Sequence, residues 1–216
     1  MAHAKDRARM GAIILAGGHG RRLGRRDKAF VRLGGRPLIE HVLDRVTAGR
    51  PDIVIVSNNP ERYRGYGVLS VADLIPGAGP LGGIYTGLHH ASRDKNLIVG
   101  CDMPFLQRAL LEYLDLHIEE RQALIPRTGK LIEPLCAVYR RSCIPVIEQH
   151  LASGSRKIGD MLRTVDCAYV DEARLRSLDP SLQSFFNINH HGDLQRAEEL
   201  ISIVRENAIS PDPSIY

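Results

Sequence analysis

A three-layer α/β fold with a mostly parallel, twisted sheet is what these 216 residues predict. Three observations carry that expectation. Residues 11–16 (GAIILA), 52–56 (DIVIV) and 96–100 (NLIVG) are short apolar runs without alternation, as strands covered on both faces require. Helix-period segments lie between them. The resulting order, strand–helix–strand–strand–helix–strand–helix, is that of a layered parallel sheet.

Taken in order, residues 11–16 form the first strand. The segment 37–48 follows as a helix, with Leu38, Val42, Leu43 and Val46 on one face and Pro37 suited to its first turn. Strands at 52–56 and 68–72 come next, then a short helix at 83–92. The strand 96–100 leads to a helix at 106–120, striped by Leu106, Ala109, Leu110, Tyr113, Leu114 and His117. Beyond residue 121 the pattern changes. Runs at 123–126 and 135–139 flank Thr128-Gly129-Lys130, which predicts a small antiparallel excursion around a turn. Helices at 144–151 and 157–163, a strand at 167–170 and a helix at 193–204 complete the elements. In that last helix Leu194, Ala197, Leu200, Ile201 and Val204 face inward.

There is no repeat, low-complexity tract or interdomain linker. The expected organisation is a disordered extension at 1–10, one domain at 11–205 and a tail at 206–216. Within the domain, 11–120 is the nucleotide-binding part and 121–205 the acceptor-binding part. A chain of this length buries enough surface to need no staple. No apolar stretch approaches the ~18 residues that span a bilayer. No secretory leader is read at the N-terminus, so the expectation is a cytoplasmic protein without membrane contact. The four cysteines (101, 136, 143, 167) form no CxxC pair and are read as reduced, buried thiols.

The net charge of +4 is unevenly spread. Residues 1–36 hold ten Lys/Arg against two Asp, and the remainder is net acidic. A positive leading segment suits phosphates. With 5% aromatic residues, no Trp and no nucleic-acid motif, a small polyphosphate is the expected ligand and nucleic acid is not.

That positive segment contains the sharpest feature, Leu15-Ala-Gly-Gly-His-Gly-Arg-Arg-Leu-Gly-Arg-Arg-Asp-Lys28. A buried strand runs into glycines, whose backbone approaches a ligand closely and exposes N–H groups as an anion nest. Arg21, Arg22 and Lys28 then neutralise triphosphate charge. A P-loop is excluded, because Lys28 follows Asp27 and precedes Ala29. A dinucleotide fingerprint is excluded, because the glycine after Gly18 and Gly20 comes one position late, at Gly24.

The segment resembles the LAGGxGRRLGxxDK signature of nucleotidyltransferases with a Rossmann-like fold. In particular it resembles the molybdenum cofactor guanylyltransferases, the MobA-like family. Pro80-Leu-Gly-Gly-Ile84 is similar to that family's GPLAGI, Cys101-Asp-Met-Pro-Phe105 to its CDMPF, and Phe186-Asn-Ile-Asn189 to its F-x-N-I-N. The resemblance spans about residues 11–204. Departures are Arg25 where a second glycine is usual, and His190-His191-Gly192 in place of Thr-Pro-Glu.

Asp102 closes the third apolar run, at a strand end where open α/β sheets place their sites. Mg²⁺ takes one or two carboxylates plus phosphate oxygens, so Asp102 is the candidate metal ligand; a helix N-cap is the alternative. The resemblance implies that same metal role, and a nucleotide or metal contact for Asp73, for which a turn residue is the other reading. It also implies that segment 73–83, with Gly79, Pro80 and Leu81, helps choose guanine, and that Asn59 touches base or ribose, with a turn at Asn58-Asn59-Pro60 as the alternative. Backbone groups of Leu15, Ala16, Gly17 and Gly18 are expected to hold phosphates with Arg22 and Lys28. On the acceptor side, Asn187 and Asn189 share one face if the segment is extended, and paired amides bind a pterin edge or phosphate. The resemblance implies that they contact molybdopterin; a helix-entry turn, with Asn mimicking backbone, is the alternative. Arg156 is a candidate for the acceptor phosphate or molybdate, with a solvated face as the alternative.

The resemblance thus implies GMP transfer from GTP to molybdopterin with Mg²⁺, and cofactor-receiving molybdoenzymes as partners. The alternatives are a cytidylyltransferase on molybdopterin or another phosphorylated acceptor, and a non-catalytic nucleotide-binding adaptor.

Overall fold

A computed structural model describes residues 10–17, 27–47, 50 and 52–209, with side chains described through residue 203. The chain begins with β1 (Gly11–Leu15), followed by a hairpin of β2 (Arg32–Leu33) and β3 (Arg36–Pro37), then α1 (Leu38–Val46) and β4 (Ile53–Val56). Next come β5 (Leu69–Val71), α2 (Gly79–His90), β6 (Lys95–Gly100) and α3 (Arg108–His117). The second part contains β7 (Ala123–Thr128), β8 (Leu131–Ile132), β9 (Cys136–Arg140), α4 (Ile144–Ala152) and α5 (Ile158–Leu162). It ends with β10 (Cys167–Val170), α6 (Glu172–Leu178) and α7 (His191–Ile209).

The central sheet runs β10-β7-β9-β6-β1-β4-β5, with β8 hydrogen-bonded to β7. Along that path only β9 is reversed; it pairs antiparallel with both β6 and β7. The antiparallel excursion read from the sequence is therefore β9 together with the β7–β8 turn. Alternate side chains of the buried strands feed two cores. Ala12, Ile14, Ile55 and Val99 pack with Val42 of α1, Leu110 of α3 and Leu175 of α6. Ile13, Leu15, Val56 and Ile98 pack with Ile84 of α2, Ile147 of α4 and Met161 of α5. This period-2 division puts one helix layer on each face, which is why the runs are apolar without a break.

Several boundaries differ from the sequence reading. Helix α2 starts four residues earlier, because Pro80 sits in its first turn, where its missing N–H costs nothing. The glycines that hid this start bring the helix close to β1. A Cβ on Gly83 would lie 3.2 Å from Leu15 Cδ2, and one on Gly87 would run into Ile13. The β2–β3 hairpin was not anticipated; its turn uses Gly34 and Gly35 at positive φ (59° and 85°). Helix α6 was also missed. It is capped by Asp171, which accepts from Arg174 N at 2.9 Å, but buries only Leu175 fully. Met10, assigned to a disordered extension, is fully buried; residues 1–9 lie outside the described residues. Helix α7 continues to Ile209 and crosses the boundary expected at 205/206. No helix among the described residues is long and apolar enough to cross a membrane.

Candidate active site

Strands β1 and β6 are parallel neighbours with Leu15 opposite Gly100, so both end on the same edge of the sheet. Just past that edge Cys101 N donates to Leu15 O (3.1 Å), and Asp102 follows. Its carboxylate folds back over Gly100, where any Cβ would collide with Oδ1. Glycine at 100 thus sets the direction of Asp102. The alternative of a helix cap is set aside, since α3 begins at Arg108 behind Gln107.

Lys28 reaches the same point from a short turn, Lys28–Phe30. Asp27 fastens that turn. Its carboxylate accepts from Ala29 N (3.3 Å), Arg62 Nη1 (3.1 Å) and the Tyr63 hydroxyl (3.3 Å). Arg62 also lies 4.0 Å over the Phe30 ring, and buried Tyr63 packs against Phe30 at 5.1 Å. Burial, then the Asp27 charge, pushes the Tyr63 phenol up, so it stays a neutral donor. From this base Lys28 Nζ donates to Asp102 Oδ2, and to Asn189 Oδ1 at 2.8 Å. The Lys28 and Asp102 side chains are 17% and 20% exposed, shielded yet open to a ligand.

Asn189 arrives on a strap that crosses the sheet edge. Ile188 N donates to Asp102 O (3.0 Å), and the Ile188 side chain is buried with Leu33, Leu38 and Ala197. Upstream, Asp179 accepts from Ser184 N (2.7 Å), and Ser184 Oγ accepts from Gln107 N (2.9 Å). Downstream, Asp193 Oδ2 accepts from Asn189 N (2.8 Å) and His190 N (2.9 Å). Those bonds, that of Asn189 above all, hold the Asp193 carboxyl below the usual range.

The other expected residues take distinct positions. Leu15 and Ala16 are buried, and Ala16 N donates to Val56 O (2.8 Å). That N–H is engaged in the sheet, which removes it as a phosphate donor. Gly17 is exposed at the strand end; Gly18 and Arg22 lie outside the described residues. Asn59 is exposed, and its N–H donates to Ser57 Oγ (3.2 Å). Asp73 Oδ1 accepts from Thr86 Oγ1 (2.9 Å) and Ile75 N (3.1 Å), so this oxygen ties its own loop to α2. Gly79 and Pro80 are exposed at the start of α2, whereas the Leu81 side chain is fully buried in the core. Arg156 Nη1 donates to Gly77 O (2.7 Å), on the Asp73 loop. Asn187 and Asn189 diverge in their bonding, because Asn187 Nδ2 turns to Phe185 O (3.0 Å).

Among the described residues no group of three or more His, Cys, Asp or Glu could hold a metal. Asp102 therefore offers a single carboxylate, whose Oδ1 accepts no hydrogen bond among the described residues. The four thiols are free, and burial raises them all, Cys143 to about 12. Sequence reasoning missed Asp27, Arg62, Tyr63 and Asp193. The available signals were the Asp-Lys pair at 27–28 and an acid four residues after Asn189.

A mostly parallel sheet with a helix layer on each face is the fold of the α/β nucleotidyltransferases. A nucleotidyl transferase of Methanothermobacter thermautotrophicus shares the fold, with TM-score 0.72 at 19% identity, covering 91% of this chain and 99% of that one. The chain belongs to the MobA-like NTP transferase family, whose domain model matches residues 12–171. It is 41% identical over 194 residues to a molybdenum cofactor guanylyltransferase of Desulfosudis oleivorans, covering 89% of this chain and 96% of that protein. The crystal structure of molybdopterin-guanine dinucleotide biosynthesis protein A from Archaeoglobus fulgidus superposes with TM-score 0.79 at 34% identity, covering 90% of this chain and all of that one.

Proposed function

We propose that the protein transfers GMP from GTP to the terminal phosphate of molybdopterin. An acceptor phosphate oxygen attacks the α-phosphorus, the bond from that phosphorus to the βγ-diphosphate breaks, and pyrophosphate leaves with the electron pair. The observation that carries this reading is the meeting of Lys28, Asp102 and Asn189 at one sheet edge. Phosphoryl-type transfer asks for charge neutralisation and in-line positioning, which such a cluster supplies without a protein nucleophile.

In this reading Lys28 neutralises charge on the triphosphate, with Gly17, Gly18 and Arg22 of the leading loop around it. Asp102 fits a magnesium ion, because a hard carboxylate oxygen is available and Mg²⁺ needs only one or two such ligands beside phosphates. Bound there, the ion supplies charge neutralisation across the phosphate oxygens. Asn59 and the segment from Asp73 to Leu81 face the nucleoside, with Leu81 contributing through the backbone. Asn187, Asn189 and Arg156 form the acceptor end, and cofactor-receiving molybdoenzymes take the product.

Pyrophosphate release from GTP, CTP, ATP and UTP, with Mg²⁺ and with or without molybdopterin, tests the reading. Release only with GTP plus acceptor is expected, and Lys28→Ala and Asp102→Ala should fold yet lose at least about 100-fold in turnover. Release with CTP alone would move the protein to the cytidylyl reaction. Tight GTP binding with no release in any mixture would make it an adaptor.

A further inference from the structure

We propose that Asp193 is a positioning residue, which sets Lys28 through Asn189 and so ties the acceptor strap to the triphosphate side of the site. The inference rests on the reading of Lys28 as part of the transfer machinery.

Lysine has three N–H donors on a flexible stem. Here one goes to Asp102 Oδ2 and a second to Asn189 Oδ1 (2.8 Å), which leaves the third for a phosphate. The direction of that third donor is fixed only while the other two partners stay in place. Asp102 is held by the core, through the Ile188 bond and the space at Gly100. Asn189 has no such support from its own side chain, since it is exposed. Its place depends on its backbone, which one Asp193 oxygen grips together with that of His190 (2.8 and 2.9 Å). Residues 28 and 193 are 165 positions apart, and the path between them consists of two hydrogen bonds.

The bland account of Asp193 is a cap on the first turn of α7, where acids are favourable. The two accounts separate in kinetics. A cap alone changes stability and leaves turnover untouched. A positioning role makes the Asp193 and Asn189 substitutions non-additive, because they cut the same path.

The experiment measures kcat, KM for GTP and KM for molybdopterin in the full-length protein with Mg²⁺, together with Tm. The variants are Asp193→Ala, Asp193→Asn, Asn189→Ala, the Asn189→Ala/Asp193→Ala double and Lys28→Ala. Asp193→Ala should lower kcat about tenfold, the cost of one misdirected charge-assisted hydrogen bond. Asp193→Asn keeps an acceptor oxygen and should recover most of that loss. The double variant should be no slower than Asn189→Ala. A lower Tm with unchanged kcat in Asp193→Ala, or multiplicative losses in the double variant, overturns the proposal while Lys28→Ala remains inactive. Near-normal turnover in Lys28→Ala overturns the functional reading and the proposal with it.

Discussion

Both edges of the central sheet carry an acid–base pair, and the two pairs differ in what surrounds them. At the carboxyl edge Lys28 meets Asp102; at the amino edge Arg93 meets Asp52. Asp52 Oδ2 also accepts from Ser92 Oγ (2.8 Å), and Asp52 O accepts from Ala12 N (2.9 Å). Beside it Asn96 Nδ2 donates to Arg93 O (2.8 Å), and a Cβ on Gly11 would collide with Asn96 Oδ1, so the backbone of β1 is packed tightly there. The amino-edge pair stitches loops together. The carboxyl-edge pair keeps one lysine donor and one carboxylate oxygen for something else. The same ionic chemistry thus serves closure at one end of the sheet and leaves groups open to a ligand at the other, the end where open α/β sheets place their sites.

Gly100→Ala is the strongest way to break the comparison. A methyl group at 100 displaces the Asp102 carboxylate without removing it. Turnover should fall about 100-fold, since a shift of roughly 1 Å at a reacting group costs that much. Circular dichroism should show the fold retained. Normal turnover would mean that Asp102 does not need its present direction. Gly87→Ala tests the wall behind the site instead. The added methyl meets Ile13, a stiff β-branched side chain in the core, at a cost of about 1–3 kcal/mol, offset by up to about 1 kcal/mol of helix propensity. Urea unfolding should show the net loss.

These glycines also explain what could be read in advance. Strands β1, β4 and β6 were legible because burial on both faces demands unbroken apolar runs. The start of α2 was not, because Gly79, Gly82 and Gly83 are poor helix formers; Gly83 packs closely on Leu15 of β1, and Gly82 on Ala78 of the preceding loop. Helix α6 escaped because seven mostly polar residues bury one leucine completely. At the site, Lys28 and Asp102 stood out through their places in loop and strand end. Their junction with Asn189 did not, since it joins positions 161 residues apart. Asp27 did not stand out, because Arg62 and Tyr63, which bind its carboxylate, come from a separate turn.

Arg156→Ala gives a smaller effect and sharpens the division within the carboxyl edge. Its guanidinium donates to Gly77 O (2.7 Å) on the loop that carries Asp73. Loss of an exposed bond of this kind is worth about 1 kcal/mol, or about fivefold. With Arg156 at the acceptor end, the expected change is in KM for molybdopterin. A rise in KM for GTP alone would move Arg156 to the nucleotide side, through the Asp73 loop.

The smallest effect belongs to the amino edge and is a matter of pH. The Arg93 bond, then the Ser92 bond, holds the Asp52 carboxyl below its ordinary value of 3.8. A carboxyl lowered in the folded state adds stability that is present above that ordinary value and is lost as pH falls through the lower, folded one. Asp52→Asn should therefore cost less than about 1 kcal/mol at pH 7, given the partial exposure of the pair. The gap between variant and parent should shrink from about pH 4 downward, in urea unfolding at matched ionic strength. Turnover per folded molecule at pH 7 should not change, because this edge lies at the other end of the strands from Lys28. A gap that held constant to pH 2 would show that neutral hydrogen bonds, and not the charge on Asp52, fasten the amino edge. A loss of turnover would show that the two edges are coupled through the strands between them.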